Sequence, residues 1–446
     1  MRKRFLMSFL IIYALSLSEL LAQTPLTLAE CVRQGVQQNA RVTQADLDAV
    51  KSSQFSREML ANAWPQIEAQ AQLTDNLRVA QVLLPGEIFG QPGVFLPVQF
   101  GVQYTFNSSV QLTQILFNQS VFTGIRAARE SAELGSLNAQ RTREQVAYDI
   151  AALYYAVQIN RVQARIVADN LAQLDELMRL AALGVQAGTG MQIDVDRVQV
   201  NRTNLLTQQA NLAQAIDQQL NLLKLQMGMT LDQPLALVES FETEPWMLDL
   251  MQSPDPLQST DIKLLERQAS LNELGLKVTK QGYIPSLAGF ATTSLQSQTN
   301  EFSGFGEQNN WFNATAIGLS LNIPVFDGFR RDAQIRQAEV DLLKSRSVLR
   351  ETQNAYSIQF YNADKKLEVA KAALEAQKAN RELAEKVYAL SQLRYQQGVA
   401  PLSDVLNAET AQKEAQTNYL AALIQTQLAW LEWMKYSGNF ARILEP

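Results

Sequence analysis

The chain has 446 residues, 47% of them hydrophobic and only 18% charged, with a net charge of −6. That is enough for one large or two ordinary domains, and the acidity speaks against a nucleic-acid partner. There is no histidine and a single cysteine, Cys31, so the commonest general base and metal ligand are missing, as are an internal disulfide and a Cys-x-x-Cys site. No cofactor is called for, and an enzyme would have to work with carboxylates, Lys or Tyr.

The first element is an address. "MRKR" is basic, "FLMSFLIIYALSL" is apolar, and "ELLA" ends in a small residue. A cleavable secretory signal over 1–22 is favoured over a membrane anchor, because the apolar run falls short of the ~20 residues a span needs. Cys31 lies too far downstream for lipidation. After a helix opening at "LTLAECVRQGVQQNARV" the period changes to two. "IEAQAQLT" sets Ile67, Ala69, Ala71 and Leu73 against Glu68, Gln70, Gln72 and Thr74. "VQYTFNSSVQLT" sets Val102, Tyr104, Phe106, Val110 and Leu112 against Gln103, Thr105, Asn107, Ser109, Gln111 and Thr113. Between them, 78–98 reads as a long Gly/Pro loop with exposed apolar residues.

A helical arm over 121–187 follows, with Val167, Leu171, Leu174, Met178 and Ala181 facing Val195, Val198, Arg202 and Leu205 across a reversal at Gly188. Residues 231–260 are Pro-rich and join two halves. Strands at 286–299 and 313–323, a shorter polar loop at 300–311 and a second arm over 331–397 then repeat the plan. Phe360, Ala363, Leu367, Ala370 and Leu374 face Ala408, Ala411, Ala415, Tyr419, Ala422, Thr426, Ala429 and Trp433, an Ala-rich seam that lets backbones approach. Each arm would be about 100 Å at 1.5 Å per residue, too long for an ordinary globular core.

The halves are a duplication. Gly188 and Gly398, Asp194-Val195 and Asp404-Val405, and Gly228 and Gly438 are each 210 residues apart. The expected organisation is a signal over 1–22, a first repeat over 23–230 with its strand hairpin at about 66–115, a linker over 231–260, a second repeat over 261–438 with its hairpin at about 286–323, and a tail over 439–446. Gly188 and Gly398 stand where the chain reverses, and glycine permits the positive φ of a helix stop. Asp194 and Asp404 stand near helix starts, where the macrodipole favours an anion.

Strands of this length with one apolar and one Gln/Asn/Thr face suit an outer-membrane barrel wall, and equally a half-buried soluble sheet. The export signal and the scarcity of charge on the polar faces favour the barrel. Val102, Tyr104, Phe106, Val110 and Leu112 would then face lipid, and Gln103, Thr105, Asn107, Ser109 and Gln111 the lumen. Four strands cannot close a barrel, so neighbouring copies must complete it.

"IPVFDGFRR" (323–331) and "LRYQQGVAPLSDVLNAE" (393–409) resemble the strand-to-helix phrase and the tip motif of the TolC family of outer-membrane efflux channels. "LTLAECVRQGVQQNARV" resembles its N-terminal helix, with Cys31 where Ala is usual and Ala40 where Pro is usual. The resemblance covers the mature chain. It implies a homotrimer, a twelve-stranded barrel with four strands per chain, and a periplasmic α-helical coiled-coil barrel. It also implies an outer-membrane location with a large periplasmic part. The expected role is a passive exit duct of a tripartite export machine, not an enzyme. A periplasmic adaptor would dock on the tips Gly188, Thr189, Gly398, Val399 and Ala400, with an inner-membrane pump supplying energy.

By position Asp194, Tyr395, Asp404 and Asn407 match the family's periplasmic gate. Asn407 replaces a second Asp and Ala400 a basic residue of some members' closed-state lock. The alternatives are an exported coiled-coil or adhesin-like protein without channel activity, and a carboxylate-dependent hydrolase using Asp194/Asp196 or Glu239/Glu242/Glu244. Strand hairpins at matched places speak against the first. The linker-like setting of the second acidic group speaks against the other. The exported substrate stays open.

Overall fold

The computed structural model describes residues 25–90, 92–239, 254–440 and 444. The expected signal over 1–22, Glu242 and Glu244 of the linker, and much of the expected tail lie outside them. Compactness divides the chain into two units, each drawing on both sequence repeats. One comprises 50–135 and 266–347; the other holds the residues up to 49, 136–265 and the residues from 348 onward.

Among the described residues, the first unit holds all the strands. β1 (Gln66–Asp75), β4 (Tyr104–Phe117), β5 (Ser286–Thr299) and β6 (Trp311–Asn322) form one antiparallel sheet in the order β1-β4-β5-β6. The two expected hairpins are therefore joined through β4 and β5, with one register shift between Ile115 and Phe117. The expected loop at 78–98 departs from its reading. It contains a second, two-stranded sheet of β2 (Gln81–Pro85) and β3 (Phe95–Gln99). Val82-Leu83-Leu84 and Phe95-Leu96 have strand propensity, and a two-stranded sheet tolerates the prolines because both strands are edges. The connection at 300–311 folds into two short 3-10 turns, Phe302–Gly306 and Gln308–Asn310.

The helices follow from capping and pattern. α1 (Leu28–Gln38) opens on a capping box in which Glu30 N–H donates to Thr27 Oγ1 (3.3 Å) and Thr27 N–H to the Glu30 carboxylate (2.8 Å). It ends at extended Asn39, and α2 (Ala40–Ala61) follows. α3 (Gln119–Gln186) and α6 (Arg330–Gln396) run 68 and 67 residues with no proline inside them. Among the described residues, α4 (Gln192–Gln226), α5 (Thr260–Gln281) and α7 (Leu402–Tyr436) are the other α-helices.

The second unit has two hydrophobic cores. In one, Ile150, Tyr154 and Val157 of α3 pack with Leu223 of α4, Ala363 and Leu367 of α6, Trp430 and Trp433 of α7, and Cys31 of α1. In the other, Leu171, Leu174 and Leu177 of α3 meet Val198 and Leu205 of α4, Tyr388 of α6, and Leu402 and Val405 of α7. The Ala-rich seam departs from its expected line at one point: Ala411 is exposed and its neighbour Gln412 is buried. α7 contributes to both cores, so its buried stripe is wider than a two-helix seam.

Candidate functional site

Two places carry the candidate residues: the reversals between paired helices, and the sheet. At the first reversal Gly188 takes φ 75°, its N–H donates to Val185 O (3.1 Å), and Thr189 N–H donates to Gly184 O (2.9 Å). At the second, Gly398 takes φ 68°, its N–H donates to Tyr395 O (2.9 Å), and Val399 N–H donates to Arg394 O (2.9 Å). Both are the Schellman stop, in which a left-handed residue lets two successive N–H groups satisfy orphan helix carbonyls. A Cβ at either glycine would meet open space, so the demand is for the dihedral and not for room. Pro401 precedes α7 as its N-cap. Val399 is exposed and Ala400 half-buried.

Asp194 and Asp404 occupy the same place in their helices, the third residue of α4 and of α7, and their N–H groups donate to Met191 O (3.0 Å) and Pro401 O (3.2 Å). Their surroundings differ. The Asp194 carboxylate is 18% exposed and lies 3.6 Å from Arg197. Burial, then the Asp194 charge, pushes the Tyr395 hydroxyl above its ordinary pKa. The fold therefore brings Asp194 and Tyr395 together from different repeats. Asp404 and Asn407 are exposed, and among the described residues neither side chain has a hydrogen bond or ion pair. Asp196 accepts from Gln192 (3.0 Å).

Below the tips lie polar cross-links that the apolar pattern does not reveal. Arg202 reaches Asp175 (2.6 Å), although the seam expects it among apolar residues. Asn170 donates to Gln416 (2.9 Å), and buried Glu409 is paired with Lys413 and Asn201. One signal was available for the first of these contacts. Asp175 and Arg202 stand symmetrically about the Gly188 turn, as Tyr388 and Glu409 do about Gly398. Burial, then the Glu409 charge, pushes the Tyr388 phenol up to about 12.

In the sheet, register decides which side chains share a face. One face carries the rows Ile67–Leu112–Ala291–Ile317, Ala69–Val110–Thr293–Thr315 and Leu73–Phe106–Ser297–Trp311, with Tyr104 beyond them. The other carries Glu68–Gln111–Thr292–Ala316, Gln70–Ser109–Ser294–Ala314 and Gln72–Asn107–Gln296–Phe312, with Thr105 beyond. Tyr104, Phe106, Val110 and Leu112 thus share the mainly apolar face, and Thr105, Asn107, Ser109 and Gln111 the mainly polar one. β4 begins at Tyr104, so Val102 and Gln103 precede it. Their backbones serve the turn instead, with Asn76 donating to both carbonyls (3.0 and 2.7 Å). Rings gather at the loop end of the sheet: Tyr104 lies 5.7 Å from Phe302, and Phe106 5.4 Å from Trp311.

Among the described residues no helix is long and apolar enough to cross a membrane, which says nothing of a barrel. Comparison with known proteins agrees with this geometry. Residues 261–439 match the family described as outer membrane efflux protein. The chain is 26% identical over 273 residues to the outer membrane efflux protein BepC of Brucella suis, covering 60% of this chain and 58% of BepC. It is 23% identical over 339 residues to the outer membrane protein TolC of Escherichia coli, covering 68% of this chain and 63% of TolC. The chain thus aligns with less than two thirds of either relative. The solved structure of the outer membrane protein VceC of Vibrio cholerae has the same fold, with a TM-score of 0.76 at 15% identity over 92% of this chain and 96% of that one. The second half of the chain thus matches the outer membrane efflux protein family, most of its length resembles TolC-type relatives, and its place is the outer membrane, with a periplasmic part.

Proposed function

We propose that this chain is one third of a passive exit duct through which an export machine discharges its substrates to the cell exterior. The observation that supports this most is the sheet order, which leaves β1 and β6 with unpaired edges while the register separates an apolar from a polar face. Each unsatisfied backbone group in hydrocarbon costs several kcal/mol, so those edges must pair with other copies. Two copies would give eight strands, whose interior side chains fill; three give twelve and leave room for water. Tyr104, Phe106, Val110 and Leu112 would face lipid, and Thr105, Asn107, Ser109 and Gln111 the lumen.

The tips Gly188, Thr189, Gly398, Val399 and Ala400 would dock a periplasmic adaptor, because a stop with a set backbone shape gives a partner a defined surface. Asp194, Tyr395, Asp404 and Asn407 would form the periplasmic gate, and an inner-membrane pump would supply energy. The duct itself performs no chemistry. Mass measurement in mild detergent, followed by planar-bilayer recording, tests the reading. A trimer with steady conductance supports it. A detergent-free soluble monomer overturns it, and a trimer without conductance favours an exported coiled coil.

A further inference from the structure

The four strands of the larger sheet are almost free of charge. Glu68 and Asp75 of β1 are their charged side chains, and none of the four carries Lys or Arg. Asp75 stands at the loop end of the sheet, where Gln103 Nε2 donates to it (3.3 Å). Glu68 stands elsewhere. It pairs with Gln111, Gln111 with Thr292 and Thr292 with Ala316, a row through the middle of β4, β5 and β6. Glu68 is exposed on the mainly polar face, and among the described residues it has no hydrogen bond or ion pair. The Gln111 amide donates along its own strand to Thr113 (3.4 Å) and leaves the carboxylate alone. The strand plan does not call for a charge at this place. Glu68 is the third residue of β1, after Pro65; the third residue of β5, after Pro285, is Ala288.

We propose that Glu68 is a specificity-determining residue of the barrel, sorting solutes by charge at mid-wall: cationic solutes are concentrated there and anionic ones held back. This rests on the duct reading above and adds to it a point of selection separate from the tips. Position argues first. A charge at mid-wall is destabilising against lipid, whereas a water-filled lumen keeps it hydrated. Isolation argues next. The strands offer no cation to cancel the carboxylate, so its field acts on whatever passes. Width completes the case. Twelve strands about 4.8 Å apart and tilted about 40° make a wall about 12 Å from the axis. Carboxylates reaching inward from that wall leave the axis within about 8–10 Å of them, one Debye length at physiological salt. Three copies of Glu68 at one height therefore act across the whole passage, and a neutral wall above and below leaves the selection to this row.

The test reads the potential beside Glu68 directly. It uses the full chain with Gln111→Cys; native Cys31 is fully buried and stays. The trimer is verified by mass in mild detergent and placed in phosphatidylcholine vesicles. Labelling rates are then measured with two methanethiosulfonates, one bearing a trimethylammonium group and one a sulfonate. Unit charges about 6 Å apart in water change a local concentration about threefold in either direction. Adding Glu68→Gln should therefore lower the cation-to-anion rate ratio about tenfold at low ionic strength and about threefold at physiological salt. Glu68→Lys should reverse the preference. Thr105→Cys lies six residues along β4, about 20 Å away, and its ratio should not respond to Glu68→Gln. A labelled Gln111→Cys whose ratio is unmoved by Glu68→Gln overturns the proposal and leaves the duct standing. So does an equal change at positions 105 and 111. Absence of a trimer, or a Gln111→Cys that neither reagent reaches, overturns the duct reading first and this proposal with it.

Discussion

Gly228 and Gly398 share a dihedral and differ in surroundings, which separates two costs that a glycine substitution usually mixes. Both end a helix with positive φ, 71° and 68°. Alanine at Gly398 meets nothing within 4 Å, so its cost is the left-handed conformation alone, about 1–2 kcal/mol. At Gly228 the new Cβ would lie 2.7 Å from the carbonyl carbon and 2.9 Å from the Cβ of Gln38, and closer still to the Gln38 oxygen. Backbone must then move, adding about 1–3 kcal/mol for overpacking, so Gly228→Ala should cost about 2–5 kcal/mol. Helical ellipticity followed on heating in mild detergent would read the difference. For a unit of this size 1 kcal/mol moves the midpoint by roughly 2–4 °C, so Gly228→Ala should melt several degrees below Gly398→Ala. Gly398→Asn should lose less than Gly398→Ala, because asparagine tolerates the left-handed region. Equal losses at the two glycines would refute the close-approach reasoning, and a larger loss at Gly398 would refute both parts.

Val110→Arg, on the apolar face, should destabilise the barrel by about 2–4 kcal/mol near the midplane, whereas Gln111→Arg on the polar face should fold and alter conductance; identical urea titrations in lipid would show the faces misassigned. Glu144 is held above the usual carboxylate range, first by burial, against hydrogen bonds from Thr260 (2.6 Å) and Gln140 (3.0 Å). A carboxyl with a raised folded pKa loses stability as pH rises from its unfolded value to its folded one, so Glu144→Gln should raise the melting midpoint at pH 8 and leave it unchanged at pH 4. A gain of equal size at both pH values would contradict this. If three Asp404 carboxylates ring a narrow water path, Asp404→Asn should lower cation selectivity and Asn407→Asp should raise it. Unchanged selectivity in both variants would leave Asp404 only a helix-dipole partner, worth about 0.3–1 kcal/mol.

Much of the fold is legible because its signals are local and repeated. The long arms are readable to within two residues, since runs of 68 and 67 residues with no proline and a glycine stop admit few other readings. The strand faces are readable because period two survives in β1 and β4. What is not legible comes from contacts between distant segments. β2 and β3 hide among Gly and Pro residues that also describe a loop. Ala411 and Gln412 exchange places because α7 serves two cores, and nothing in its own spacing says so. The pairing of β4 with β5 joins the repeats through a register that neither strand specifies alone. Asn170 with Gln416 spans the two repeats, beyond the reach of any pattern within one of them.

The duplication makes two acidic residues equivalent in sequence, and the fold gives them different electrostatic work. Asp194 is largely shielded, has Arg197 at 3.6 Å and acts on the Tyr395 phenol from the other repeat. Its charge is partly cancelled before any ion could feel it. Asp404 holds the same helical position, exposed and without a cationic partner among the described residues. In water a carboxylate of that kind acts over about a Debye length, 8–10 Å at physiological salt, which matters only where a passage is comparably narrow. If the tips close to such a width, the field at the entrance comes from the second repeat, while Asp194 serves the contact between repeats. Neutralising Asp194 should therefore change how the helices hold together, and neutralising Asp404 should change which ions enter.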